Sequence, residues 1–470
     1  MSHVRSHIRQ KWVTNVNTYG KVTEDITRPI ENKINMTWLL ATLFSAAVMT
    51  MGFGMIAWTI YKGIGSWGLN KTIGWAFDIT NFVFWVGIGH AGTLISAVLL
   101  LFRQEWRNSI NRASEAMTIF AVLCAGLFPI LHMGRPWLGL WFLPLPNTRG
   151  SLWVNFNSPL LWDVFAISTY LTVSLVFWYL GMIPDFATIR DRMKRLGRDT
   201  ASAIYGAISF GWEGSNRNWS RYELVSLLLA GLATPLVLSV HSIVSMDFAT
   251  SVIPGWHTTI FPPYFVAGAI FSGFGMVQTL MIVTRKIYKI ENYITMDHME
   301  SIAKIVLATG SLVGLAYTTE FFIAYYSGSL WERSIFIDRM FGPMWWSYWI
   351  MFSCNVITPQ LFWSKKIRTN MVATFIISIF VNIGMWFERF VIIVSSLYRD
   401  FLPSSWASYT PTWVEAGIFI GTFGLFMTCF FLFSKYLPVV NMFEVKTLIH
   451  HPDKPAHLEE TAGSSETAQA

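Results

Sequence analysis

Hydrophobic residues fill 53% of the 470 positions and charged residues only 13%, about half the charged share of an average soluble domain. A soluble core cannot hide that much apolar surface, whereas a bilayer can. The net charge of +7 does not point to nucleic acid, because the basic residues sit in short connections between apolar runs, where they orient a membrane protein.

Residues 1–36 are polar and basic and lack an apolar core of signal-peptide length. They are expected to form a cytoplasmic segment. Apolar runs follow near 37–62, 75–102, 113–134, 159–183, 222–246, 261–284, 302–326, 343–363, 371–396 and 413–434, each near the roughly 20 residues a span needs. The expected fold class is therefore all-α. It is a polytopic integral membrane protein whose ten helices occupy 37–437 as two four-helix bundles plus two extra helices. Residues 438–470 are expected to be a cytoplasmic tail, largely disordered, since its end is polar and acidic. Lysine and arginine alternate sharply between connections. One set, which includes both termini, holds 26 of them and the other set 7. This bias predicts a bacterial inner-membrane protein with both termini in the cytoplasm.

Cys124, Cys354 and Cys429 all lie inside apolar runs and read as small core residues. There is no Cys-x-x-Cys, Cys-x-x-Cys-His or P-loop pattern, so the sequence shows no iron–sulfur, covalent haem or nucleotide signature of its own.

Ionisable residues inside spans are costly and mark function by default. His132 ends the third run, Asp163 lies one turn into the fourth, and His241 and Asp247 stand near the end of the fifth. Asp78 opens the second run, Glu320 lies in the outer half of the seventh, and Glu388 and Arg389 in the outer half of the ninth. Only His90 is near mid-membrane. Most of these groups gather toward the outer face. A quinol headgroup needs such a setting: hydrogen-bond acceptors for two hydroxyls and groups that take up protons as electrons leave. Structural readings stand beside the functional ones. His90 is suited to gluing helices together. Asp163 follows Ser158-Pro159 and suits a helix N-terminus. Asp78 can be solvated at the interface. Glu388 and Arg389 point about 100° apart on a helix and need not pair.

Two stretches carry a resemblance. Gly89-His90-Ala91-Gly92-Thr93-Leu94-Ile95-Ser96-Ala97 and Leu131-His132-Met133-Gly134-Arg135-Pro136-Trp137 resemble motifs of the NrfD/PsrC family. Ser158 to Asp163 and the block from His241 to Phe265 fit the same family, and the ten-span length with the stretch Gly255 to Phe265 most resembles ActC-type membrane subunits of alternative complex III. The resemblance implies a chain without its own redox cofactor. It implies a quinone bound near the outer face and a periplasmic iron–sulfur partner subunit. Multihaem cytochrome c subunits and a homologous membrane subunit would be further partners. Electrons would pass from quinol to the iron–sulfur subunit. Carried onto this chain, the catalytic residues would be His132, Asp163 and Asp247, with Arg135 and His241 assisting in binding. Asp78, His90, Glu320, Glu388 and Arg389 are the candidates for a proton path.

Two other functions fit parts of the sequence. A secondary transporter suits ten spans with buried charges, although transporter sites usually lie at the midplane. A b-type cytochrome needs histidines on facing helices at equal depth, for which His132 and His241 are the available pair.

Overall fold

A computed structural model describes residues 12–142, 156–399 and 401–449. Among them, nine helices are long and apolar enough to cross a membrane. A helix before the first span, α1 (Tyr19–Glu31), is N-capped by Thr18, whose hydroxyl accepts from Lys21 N at 3.3 Å. The first span, α2 (Met36–Lys62), starts on an Asn35 cap and stops at Gly63, which takes φ +91°. It is followed by α3 (Phe77–Leu101), α4 (Asn111–His132) and α5 (Pro159–Arg195). Pro159 stands at the start of α5, where its missing N–H costs nothing. A short helix, α6 (Asp199–Ile208), leads to α7 (Asn216–Ala249), α8 (Phe261–Tyr288) and α9 (Met296–Tyr326).

A short helix, α10 (Leu330–Phe341), precedes the eighth apolar run. That run is not one α-helix. It is α11 (Trp345–Phe352), a π turn over Ser353–Ile357 and a 3-10 stretch over Thr358–Trp363. Pro359 lacks the N–H that a continuing α-helix would donate, which accounts for the break. The chain ends in α12 (Met371–Leu397), α13 (Trp413–Tyr436) and the short α14 (Met442–Thr447).

The helices sort into two groups of four and a pair. Helices α3, α4, α5 and α7 pack as one bundle, and α8, α9, the broken eighth span and α12 as the other. The bundles meet where α3 and α7 of the first pack against α8 of the second, and α3 against α12. The apolar stretch of α3 is 78% buried and that of α2 only 11%, so α3 is central and α2 peripheral. Helix α2 is held almost entirely by α13. The two cross where Gly52 faces Gly421; a Cβ on either would strike the other's backbone, as in small-residue crossings of membrane helices.

One end of the bundle carries α1 and α14. There Arg192 of α5 pairs with Glu31 of α1, and Lys435 Nζ donates to Pro29 O at 2.6 Å and Asn32 O at 2.8 Å. The other end carries His132, Asp78 and the connection from α7 to α8. Residues 438–449 lie docked on the first end, with Met442 and Val445 buried. Residues 450–470 lie outside the described part.

Candidate functional site at the outer end of the first bundle

Asp78 stands in the first turn of α3 and is almost wholly buried, at 3% exposure. Its Oδ1 accepts from Ala76 N at 3.2 Å. Its Oδ2 accepts from Nδ1 of His132, the last residue of α4. The acid partner of His132 is thus Asp78, which the sequence reading left as a residue open to water or on a proton path. Adjacent helix ends bring the two together: α3 begins at the level where α4 finishes, and the two helices approach closely, with Gly92 packed against Ser114. His132 keeps part of its side chain, 27%, exposed. A carboxylate accepting from Nδ1–H fixes the tautomer and leaves Nε2 as an acceptor facing away from it.

Asp163 and Asp247 form a second pair, with their carboxyls in side-chain contact. Asp163 lies in the second turn of α5 and Asp247 near the end of α7. Asp163 Oδ1 and Asp247 Oδ1 are buried with no partner among the described residues. Such oxygens suit a hydroxyl donor brought by a ligand. Aromatic rings connect the two pairs. Trp75 stands edge-on to His132 at 6.4 Å and to Phe248, the neighbour of Asp247, at 5.8 Å, and lies 5.7 Å from Trp256. Arg135 is exposed beside this end of α4, as is Trp137. Residues 143–155 of the connection, including Leu143 and Trp153, lie outside the described residues.

His241 is not at this end. It is fully buried in the middle of the bundle, with its ring 4.5 Å from that of His90. The two turns of α7 after His241 carry it to the depth of His90, below the outer end where the sequence placed it. His90 donates from Nδ1 to Val86 O at 2.8 Å. Both His241 nitrogens lack a partner among the described residues. His132 and His241 therefore find different neighbours, Asp78 and His90, and do not face one another as a haem would require. Among the described residues no three metal-ligating groups cluster.

From His241 a line of contacts runs into the second bundle. The Phe265 ring is 5.9 Å away, and the Arg389 guanidinium lies 4.2 Å over that ring. Arg389 Nη1 pairs with Glu388 Oε1 at 3.0 Å, so these neighbours do pair; the long arginine side chain turns back to its own helix neighbour. Glu388 Oε2 accepts from Tyr317 OH, and Asn355 Nδ2 donates to Tyr317 OH at 2.9 Å. The π turn of the broken eighth span aims Asn355 inward, a common use of such turns. Sequence reading missed Tyr317, Asn355 and Trp75. The signal for Asn355 was an amide four residues before Pro359 in an apolar run. Glu320, one turn after Tyr317, lines a separate outer cavity of about 350 Å³ together with His257 and Glu332.

The family model described as "Polysulphide reductase, NrfD" matches residues 65–399. The membrane C subunit of a putative dimethyl sulfoxide reductase from Halobacterium salinarum is 22% identical over 84% of this chain and 90% of its own length. The integral membrane subunit of menaquinone reductase from Nitratidesulfovibrio vulgaris is 23% identical over 83% of this chain and 91% of its own length. The C subunit of selenate reductase from Mesobacillus selenatarsenatis is 21% identical over 84% and 90%.

Proposed function

This chain belongs to the NrfD family of membrane subunits of oxidoreductase complexes, and from that premise we propose that it oxidises quinol at the outer ends of α3, α4, α5 and α7. The observation that carries the reading is the His132–Asp78 pair, beside an acidic pair with unpartnered oxygens. A partly exposed imidazole oriented by a buried carboxylate is the arrangement a proton acceptor needs.

The chemistry follows from the donors and acceptors. One quinol hydroxyl donates to His132 Nε2, and the other donates to the Asp163–Asp247 pair. As two electrons leave the ring, both O–H bonds break. One proton passes to His132, whose new charge Asp78 stabilises, and the other to the carboxyl pair. The electrons pass to a partner subunit docked over Trp137, which would hold an iron–sulfur cluster. Exposed apolar residues beside a redox site favour such a cover. We place the site on the periplasmic side of a bacterial inner membrane, with both termini cytoplasmic, on the 26-to-7 basic bias. The similarity to ActC-type subunits adds multihaem cytochromes c and a homologous membrane subunit as partners. The line from His90 through Arg389 and Glu388 to Tyr317, and Glu320 beyond it, is our candidate for coupled proton movement.

A second reading runs the same site backwards. One relative is named menaquinone reductase, and the same groups would then deliver two protons to a quinone. Labelling with a photoactivatable azido-quinone in the intact complex tests the location. Adducts on the peptides carrying Asp78, His132, Asp163 or Asp247 are expected, and labelling confined to the Glu320 cavity would move the site. Turnover measured from a quinol donor and from a reduced partner subunit separates the two directions.

A further inference from the structure

At the end of the bundle that carries α1 and α14, a crevice of about 360 Å³ opens between α3, α5 and α7. Its walls are apolar: Leu100, Phe177 and Leu227, the last half exposed toward the surface that faces lipid. Its floor is polar and already paired. Arg107 Nη2 meets Glu444 Oε1 at 3.1 Å, and Arg112 Nη2 meets Asp185 Oδ2 at 3.4 Å and Gly181 O at 2.6 Å. Three buried polar atoms at this floor still lack a hydrogen-bond partner among the described residues: Arg112 Nε, Ser226 Oγ and Glu115 Oε2, the last 3.8 Å from Arg112 Nη1. They offer a donor, an acceptor and a hydroxyl that serves as either. At the mouth stand Arg103 and Glu223, both exposed and neither in an ion pair among the described residues.

We propose that this crevice binds a zwitterionic phospholipid with a primary ammonium group, its phosphate on Arg103 and its ammonium on Glu223, with acyl chains along Leu100, Phe177 and Leu227. The position fits a headgroup. Arg103 follows the end of α3, and Glu223 lies two turns into α7, so both stand where apolar spans give way to the interface. The charge also fits. Three arginines, Arg103, Arg107 and Arg112, line the crevice, and three glutamates, Glu115, Glu223 and Glu444, balance them. A site for an anionic headgroup is expected to carry surplus positive charge, and this one carries none. A neutral ring would leave both mouth charges unmatched. The ammonium N–H groups supply hydrogen-bond donors to the Glu223 carboxylate, which a quaternary ammonium does not.

Native mass spectrometry of the intact complex, washed free of lipid and titrated with dioleoyl lipids, tests this. Phosphatidylethanolamine is expected to be retained about tenfold more tightly than phosphatidylglycerol or phosphatidylcholine, one charge-assisted contact being about that much in affinity. Arg103→Gln with Glu223→Gln is expected to remove that preference while the complex elutes unchanged on size exclusion. Phosphatidylglycerol retained as well as or better than phosphatidylethanolamine would overturn the proposal, as would a preference unchanged in the double variant or no retained lipid. Should the variant not assemble, the headgroup preference of the native complex decides the matter alone.

Discussion

Nδ1 of His132, at the end of α4, donates to Oδ2 of Asp78, at the start of α3. The bond crosses 54 positions of sequence and ties together the ends of two helices that sit side by side. It gives the imidazole one fixed orientation and leaves Nε2 as the ring's acceptor. The functional reading depends on this bond.

Asp78→Asn is therefore expected to slow quinol-driven electron transfer although Asp78 itself touches no substrate. An amide can hold the ring but cannot stabilise an imidazolium, and losing that support in a proton-transfer step costs on the order of 100-fold. Steady-state turnover against pH in the purified complex checks it. A merely structural role would lower the amount of assembled complex and leave the pH profile of the remainder unchanged.

Asp163→Asn is expected to nearly abolish turnover, about 100-fold or more by the same proton-transfer scale, with redox-centre content intact. Asp247→Asn should act in the same direction, and the double variant should cost little more than either alone, because the carboxyls work as a unit. Additive losses would mean that they act separately.

How much of this was legible in the sequence varies with the kind of feature. The spans were legible because each apolar run is about as long as a bilayer is thick. The break in the eighth span was signalled only by Pro359, and its consequence, an inward Asn355, depends on helix geometry that apolar composition does not encode. His132, Asp163 and Asp247 stood out because charges near span ends are few. Their pairing was not legible, since it depends on how each helix is rotated about its axis. Asp78 looked like an interfacial residue open to water. Trp75 and Trp256 pack over this end, and Asp78 is buried. His241 was read from its place in the run, but packing against His90 sets its real depth.

Glu388→Gln tests the line through the second bundle. Glu388 and Arg389 are buried together, with exposures of 0% and 2%, so removing one charge strands the other at a cost of roughly 3–5 kcal/mol. A lower unfolding temperature is expected. If the line moves protons, the proton-to-electron ratio in proteoliposomes should also fall. An unchanged ratio would remove Glu388 from any such path.

The orientation can be checked directly. A single cysteine at position 195, the end of α5 beside α1, is expected to resist impermeant thiol reagents applied from the periplasm. Ready labelling from that side would invert the topology and place His132 on the cytoplasmic face.

The most direct test of the quinol site is turnover of His132→Ala in purified complex with native redox-centre content. This change removes the hydrogen-bond acceptor and the proton carrier together, and the expected result is a loss of about 100-fold or more in quinol-to-acceptor electron transfer. Turnover at the wild-type rate would contradict the account, because the headgroup would then have to bind elsewhere.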